Sequence, residues 1–179
     1  MANYYVLIST YKKEERDSFY ARTQLVDRKL SIGWGDVNPI NKSKREIKNL
    51  IKIFYEDLKG TNNPDNGANS LPLFTNLKPG DIVFLRGNAQ IIDVCIITGT
   101  VFYDKNGHYK DDYFLKIPFE PLFSDIQTEI RTIDIPDEIK NEVLNKDGVT
   151  MPIRQITEKT ARQLLIAMAE NLKNRLEVQ

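Results

Sequence analysis

Few residues in this 179-residue chain could carry a reaction, and each has an ordinary explanation. The single cysteine, Cys95, lies in the apolar run Ile91-Ile92-Asp93-Val94-Cys95-Ile96-Ile97, where a thiol acts as a small buried hydrophobe; with no second cysteine it makes no internal disulfide. The single histidine, His108, falls in the turn-forming run Lys105-Asn106-Gly107-His108 and reads as a surface residue. One histidine and one cysteine do not supply the usual ligand set for zinc. The chain has neither Gly-x-x-x-x-Gly-Lys nor Gly-x-Gly-x-x-Gly, so phosphate-cradling loops of those kinds are absent. Asp57-Leu58-Lys59, with Asp36 as a distant acid, imitates part of a metal-dependent nuclease signature. Its position argues otherwise, because Asp57 and Lys59 fall in the last turn of an expected helix, where a lysine simply suits the helix dipole. The expectation is a binding domain without catalytic residues, metal or cofactor.

The segment Ser31-Ile32-Gly33-Trp34-Gly35-Asp36 is the most informative in the chain. Gly33 and Gly35 remove the side chains on both sides of the only tryptophan, so that a planar molecule could approach the indole. The same pattern fits a core tryptophan whose glycines shape a tight turn. Charge does not decide between them. Lysines and arginines number 25, as do aspartates and glutamates, which removes any whole-molecule electrostatic case for nucleic acid. Phosphate contacts would rest on a local patch formed by Arg16, Arg22, Arg28, Lys29, Lys42, Lys44 and Arg45 in the modestly basic first third, residues that equally suit a solvated face.

The elements that must position these residues follow from periodicity. Tyr4-Tyr5-Val6-Leu7-Ile8 predicts a buried strand, Lys12 to Asp27 a short helix or an irregular excursion, and Lys29 to Ile32 a strand entering the glycine turn. Ile47, Leu50, Ile51, Phe54, Tyr55 and Leu58 form the stripe of an amphipathic helix, started by the capping box Ser43 and Glu46 and stopped at Gly60. Thr61 to Ser70 reads as an exposed loop. After a turn at Lys78-Pro79-Gly80-Asp81 come strands at Ile82 to Leu85, Ile91 to Tyr103 with Gly99 in its middle, Tyr113 to Phe119 and Ile130 to Ile135, with a hairpin-like loop at Asp104 to Asp111. A short helix opens at Pro136, and a last one near Thr157 presents Ala161, Leu164, Leu165, Met168, Leu172 and Leu176 on one face. Clustered strands with helices set aside predict an α+β fold, a small curled sheet or barrel with helices packed around it, as a single domain over residues 1–179. No run approaches a bilayer span and the N-terminus lacks a signal-peptide pattern, so a cytoplasmic location is expected.

The order of these segments resembles PUA-like domains of the EVE and YTH kind, particularly the recognition domains of modification-dependent restriction systems of the McrBC type. The strand ending near Thr10, Ile32-Gly33-Trp34-Gly35, the capped helix, Leu77 to Val83, Ile97-Thr98-Gly99-Thr100-Val101-Phe102-Tyr103 and Gly148 to Ile156 carry the resemblance. It implies a barrel-like sheet and a pocket for one nucleobase, often methylated, in DNA or RNA, with an effector nuclease or NTPase subunit as partner. It puts Trp34 at the pocket wall, Ser31, Gly33, Gly35 and Asp36 beside it, and Phe102 and Tyr103 as neighbours. Phosphate contacts would fall to Arg28, Lys29, Lys42, Lys44 and Arg45. With no second tryptophan, the cage would be closed by Tyr4, Tyr5, Phe74, Phe102 or Tyr103. The rival expectation is a protein-interaction module of a larger assembly, presenting an apolar patch around Phe119 to Phe123 and no base pocket.

Overall fold

Strand β1 (Tyr4–Ile8) is apolar along its length because both of its faces are covered. In the computed structural model, which describes residues 2–9, 19–55, 64–87, 89–104, 114–123, 129–144 and 151–177, β1 pairs in parallel with β3 (Ile82–Arg86), Val6 opposite Phe84. On its other side it pairs antiparallel with β8 (Ile153–Ile156), Leu7 opposite Ile153. The sheet continues antiparallel from β3 to β4 (Gln90–Ile97), to β6 (Leu115–Pro121) and to β2 (Lys29–Ile32), giving the order β2-β6-β4-β3-β1-β8. Strand β5 (Phe102–Tyr103) adds to β6, and β7 (Ile130–Arg131) to β4. The result is an α+β fold built on a curled, open half-barrel of mixed strands.

Strand alternation divides the apolar residues between two cores. Tyr5, Leu7, Val83, Leu85, Cys95 and Ile97 face one layer of helices, while Val6, Phe84 and Val94 face the other. A bulge shifts this alternation within β4. Leu85 pairs with Asp93 but Arg86 with Ile91, and Ile92 joins the first core although Val94, two positions on, belongs to the second.

The first core is closed by α1 (Phe19–Asp27), α2 (Lys44–Phe54) and α3 (Pro64–Thr75), through Ala21, Ile47, Ile51, Ala68, Leu71 and Phe74. The predicted capping box starts α2: Glu46 N–H donates to Ser43 Oγ at 3.3 Å and Ser43 N–H to Glu46 Oε2 at 2.7 Å. The second core is closed by α4 (Asp137–Val143) and α5 (Glu158–Glu177), with Ile139, Val143, Ala161, Leu164 and Met168 inward. Each such large side chain contributes about 1.5–3 kcal/mol by leaving water. No described helix is long and apolar enough to cross a membrane.

Four expectations are corrected. The exposed loop at Thr61 to Ser70 gives way, from Pro64 onward, to α3, because Ala68, Leu71 and Phe74 bury one face of a segment whose Asn, Gly and Pro content disguises it. The strand at Ile91 to Tyr103 is interrupted between Ile97 and Phe102, where Gly99 lies against Pro118; a Cβ there would stand 2.6 Å from the proline Cγ. Pro118, within β6, sits where that strand changes partner, from β2 through Pro118 to β4 from Phe119. The strand at Ile130 to Ile135 shortens to two residues followed by a 3-10 turn, Thr132–Asp134. The apolar patch at Phe119 to Phe123 is not presented as such: Phe119 is buried, Pro121 and Phe123 are half-buried, and of its apolar residues Leu122 alone is exposed, beside the exposed Glu120. Helix α2 ends at its C-cap Tyr55, and Leu58, Gly60, His108, Asp57, Lys59, most of Asp104 to Asp111 and residues 12–18 lie outside the described residues.

Candidate functional site

The chain leaves β2 at Ile32 and turns at Trp34, whose N–H and carbonyl lie in the left-handed conformation, φ +63°. The left-handed residue of the turn is the tryptophan itself rather than either flanking glycine, a placement that costs a non-glycine residue about 1–2 kcal/mol. The turn is closed by Val37 N–H donating to the Trp34 carbonyl at 2.9 Å. Burial explains why the strain is tolerated. Trp34 is only 7% exposed and packs within the first core.

Of the two readings of the glycine-flanked indole, this structure shows the ring covered. Helix α3 lays Gly67 on the ring: a Cβ at that position would come within 3.1 Å of Trp34 Cε2 and 3.3 Å of Cδ2, and would overlap Ile51 Cδ1. The flat molecule that the glycine-flanked indole receives is the protein's own backbone. One polar atom in this packing is left over, since the indole Nε1 is buried without a hydrogen-bond partner. The hydroxyl of Ser70, one turn further along α3 and fully buried, is also unpartnered.

Two tyrosines brace the turn. The Tyr103 hydroxyl donates to the Gly35 carbonyl at 2.5 Å, and the Asp36 N–H donates to the Tyr55 hydroxyl oxygen at 3.5 Å. Asp36 is exposed at the rim. Burial first, and the nearby Asp36 carboxylate second, push the Tyr103 hydroxyl above the ordinary tyrosine pKa. The Tyr103 ring meets Phe114 edge-on, with centroids 5.8 Å apart.

Of the residues the sequence marks for base contact, Trp34, Gly33, Gly35, Asp36 and Tyr103 come together, and Ser31 and Phe102 do not join them. In the row Ile32–Leu115–Tyr103 the side chains share the first core's face, so the adjacent row Ser31–Lys116–Phe102 belongs to the opposite face. Ser31 is fully buried there, its backbone N–H donating to Gln24 Oε1 at 3.2 Å, and Lys116 pairs with Asp104 at 2.8 Å. Of the other aromatics proposed to close a cage, Tyr5 and Phe74 belong to the same core as Trp34, and Tyr4 to the other. Sequence reading missed Gly67 and Ser70, hidden among turn formers, and gave Tyr55 only a packing role.

The basic residues fall into two groups. Arg28 pairs with Glu120 and, with Lys29, stands at the end of β2 away from Trp34. Lys42, Lys44 and Arg45 are exposed around the start of α2. Cations there meet the positive end of the helix dipole, so helix stability does not account for them, and they leave that end attractive to anions. Arg22 pairs with Glu129 at 2.5 Å, and Arg16 lies outside the described residues. The exposed Arg28–Glu120 pair contributes little to stability.

No curated protein matches the chain. A family model described as a domain of unknown function (DUF8426) matches residues 8–133, from the end of β1 through β7 and so across Trp34, Gly67 and Tyr103, and the chain belongs to that family.

Proposed function

We propose that this domain binds nucleic acid by capturing a single base, flipped or single-stranded and carrying a modification, against Trp34, and that it does no chemistry on it. The observation that carries the reading is the buried, unpartnered indole N–H on a turn braced by Tyr55 and Tyr103, with Asp36 exposed two residues on. A base brings the complementary groups: a ring nitrogen or carbonyl to accept from the indole, and an exocyclic amino group to donate to Asp36. Stacking on an aromatic ring is worth about 1–3 kcal/mol per base, and the exposed Lys42, Lys44 and Arg45 supply phosphate contacts nearby. The curled sheet with helices on both faces supports reading the fold as PUA-like, of the EVE and YTH kind, in which case a nuclease or NTPase subunit of a restriction system is the partner it serves.

Trp34 is the only tryptophan, so its fluorescence reports directly on the site. Single-stranded DNA carrying 5-methylcytosine, RNA carrying N6-methyladenosine and their unmodified counterparts are titrated against wild type, Trp34→Phe and Asp36→Asn. The expected result is a fluorescence change in wild type with one modified strand, and affinity lowered roughly tenfold in each variant, binding there being followed by anisotropy of a labelled strand. Equal affinity in all three proteins, or no binding by wild type at low salt, removes the proposal.

A further inference from the structure

We infer that the first half of α3 is a displaceable cover, holding in the ligand-free protein the place on the indole that a base takes when bound; this rests on the base-binding reading above. Gly67 presents bare backbone to the ring, filling the position of a planar ligand without putting a side chain into it. The helix is built to be marginal. Asn66, Gly67, Asn69 and Ser70 are weak helix formers, and Pro72, inside the helix, cannot donate the backbone hydrogen bond of its turn.

Its two halves are anchored differently. Leu71 and Phe74 bury large side chains in the first core, whereas the first half buries only Gly67 and the small side chains of Ala68 and Ser70, and its Asp65 is held to Lys48 of α2 by an ion pair between partly exposed side chains. Pro72 lies among the anchoring residues, next to the segment that would lift, and a proline inside a helix is where bending is expected. Closure also leaves the indole N–H and the Ser70 hydroxyl buried and unpartnered, so lifting residues 64–70 gives both groups access to water or to a ligand.

The test compares wild type with Lys48→Ala and Asp65→Asn, using hydrogen exchange, acrylamide quenching of Trp34 fluorescence, and the four oligonucleotides named above. In the ligand-free protein the amides of residues 67–71 are expected to exchange through a smaller opening than those of α2 residues 47–51. Both substitutions should raise quenching and oligonucleotide affinity by about 1.5- to 5-fold, as loss of an exposed ion pair shifts the closed helix toward the open one. They change net charge in opposite directions, so electrostatic attraction to phosphate cannot produce a shared rise. Gly67→Ala, whose methyl group would overlap Ile51 Cδ1 and crowd the indole in the closed helix, should push the same way; the two ion-pair variants carry the test if it fails to fold. Exchange of α3 only by global unfolding, with affinities of the two variants moving apart, overturns the cover and leaves base binding standing. Absence of binding by every variant, including those with raised quenching, overturns the base reading and the cover with it.

Discussion

The hydroxyl of Tyr103 donates to the carbonyl oxygen of Gly35 at 2.5 Å, tying the short strand β5 to the turn that carries Trp34, 68 residues earlier in the chain. Tyr103→Phe removes that donor and leaves a part-buried carbonyl without it, which should lower unfolding free energy by about 1 kcal/mol in chemical denaturation. If the turn is held for binding, the same variant should also broaden the emission of Trp34; an unchanged denaturation midpoint would show the contact to be dispensable.

Gly99→Ala should cost about 1–3 kcal/mol, read as a drop in Tm. The added methyl would sit 2.6 Å from Pro118 Cγ, and a proline ring cannot swing aside as a flexible side chain would. Relief requires moving β6 at the position where it passes from β2 to β4, and there Thr98 N–H already donates to the Pro118 carbonyl at 3.1 Å.

Two carboxylates should give opposite pH signatures. Glu142 Oε2 accepts from Thr160 Oγ1 at 2.7 Å and from the Thr157 N–H at 3.0 Å, and these bonds hold its carboxyl below the ordinary glutamate range. Its contribution is present above the unfolded pKa and is lost as pH falls through the folded one. Glu142→Gln should therefore be less stable than wild type at neutral pH, by about 1 kcal/mol after solvent screening, with the gap closing in acid. Asp93 runs the other way. Burial raises its carboxyl above the usual aspartate range despite hydrogen bonds from the Val94 and Phe123 N–H groups, so wild-type stability is lost as pH rises through that folded pKa. Asp93→Asn keeps an acceptor for both donors and should raise stability at neutral pH by an amount of order 1 kcal/mol, with no gain in acid. Denaturation curves at neutral and acid pH distinguish the two; matching pH trends in both variants would refute the assignment.

What was legible in the residues was local. The runs of β1 and β3, the Ser43 and Glu46 box, the stripe of α5 from Ala161 to Met168, though not its exposed end at Leu176, and the buried Cys95 each state their environment within a few positions. Helix α3 was not legible, because Asn66, Gly67, Asn69 and Pro72 are turn formers and only the packing of Ala68, Leu71 and Phe74 makes a helix of them. The break after Ile97 depends on Pro118, which is close to Gly99 in space but not in sequence. The candidate site divides the same way: the glycine-flanked indole marked itself, while its cover, Gly67, is fitted to a ring more than thirty residues away.

Strand β1 lies between two partners drawn from distant parts of the chain, Tyr4 standing opposite Ile82 on one side and Ile156 on the other. A ribosome therefore releases this strand well before its second neighbour, so half of the backbone groups along β1 wait unpaired while the residues between β1 and β8 are made. Closing loops of that size slows folding, and the waiting edge is open to foreign strands in the meantime. The protein should accordingly refold slowly for its size and should gain more from dilution or a chaperone during synthesis than from any stabilising change to its finished core.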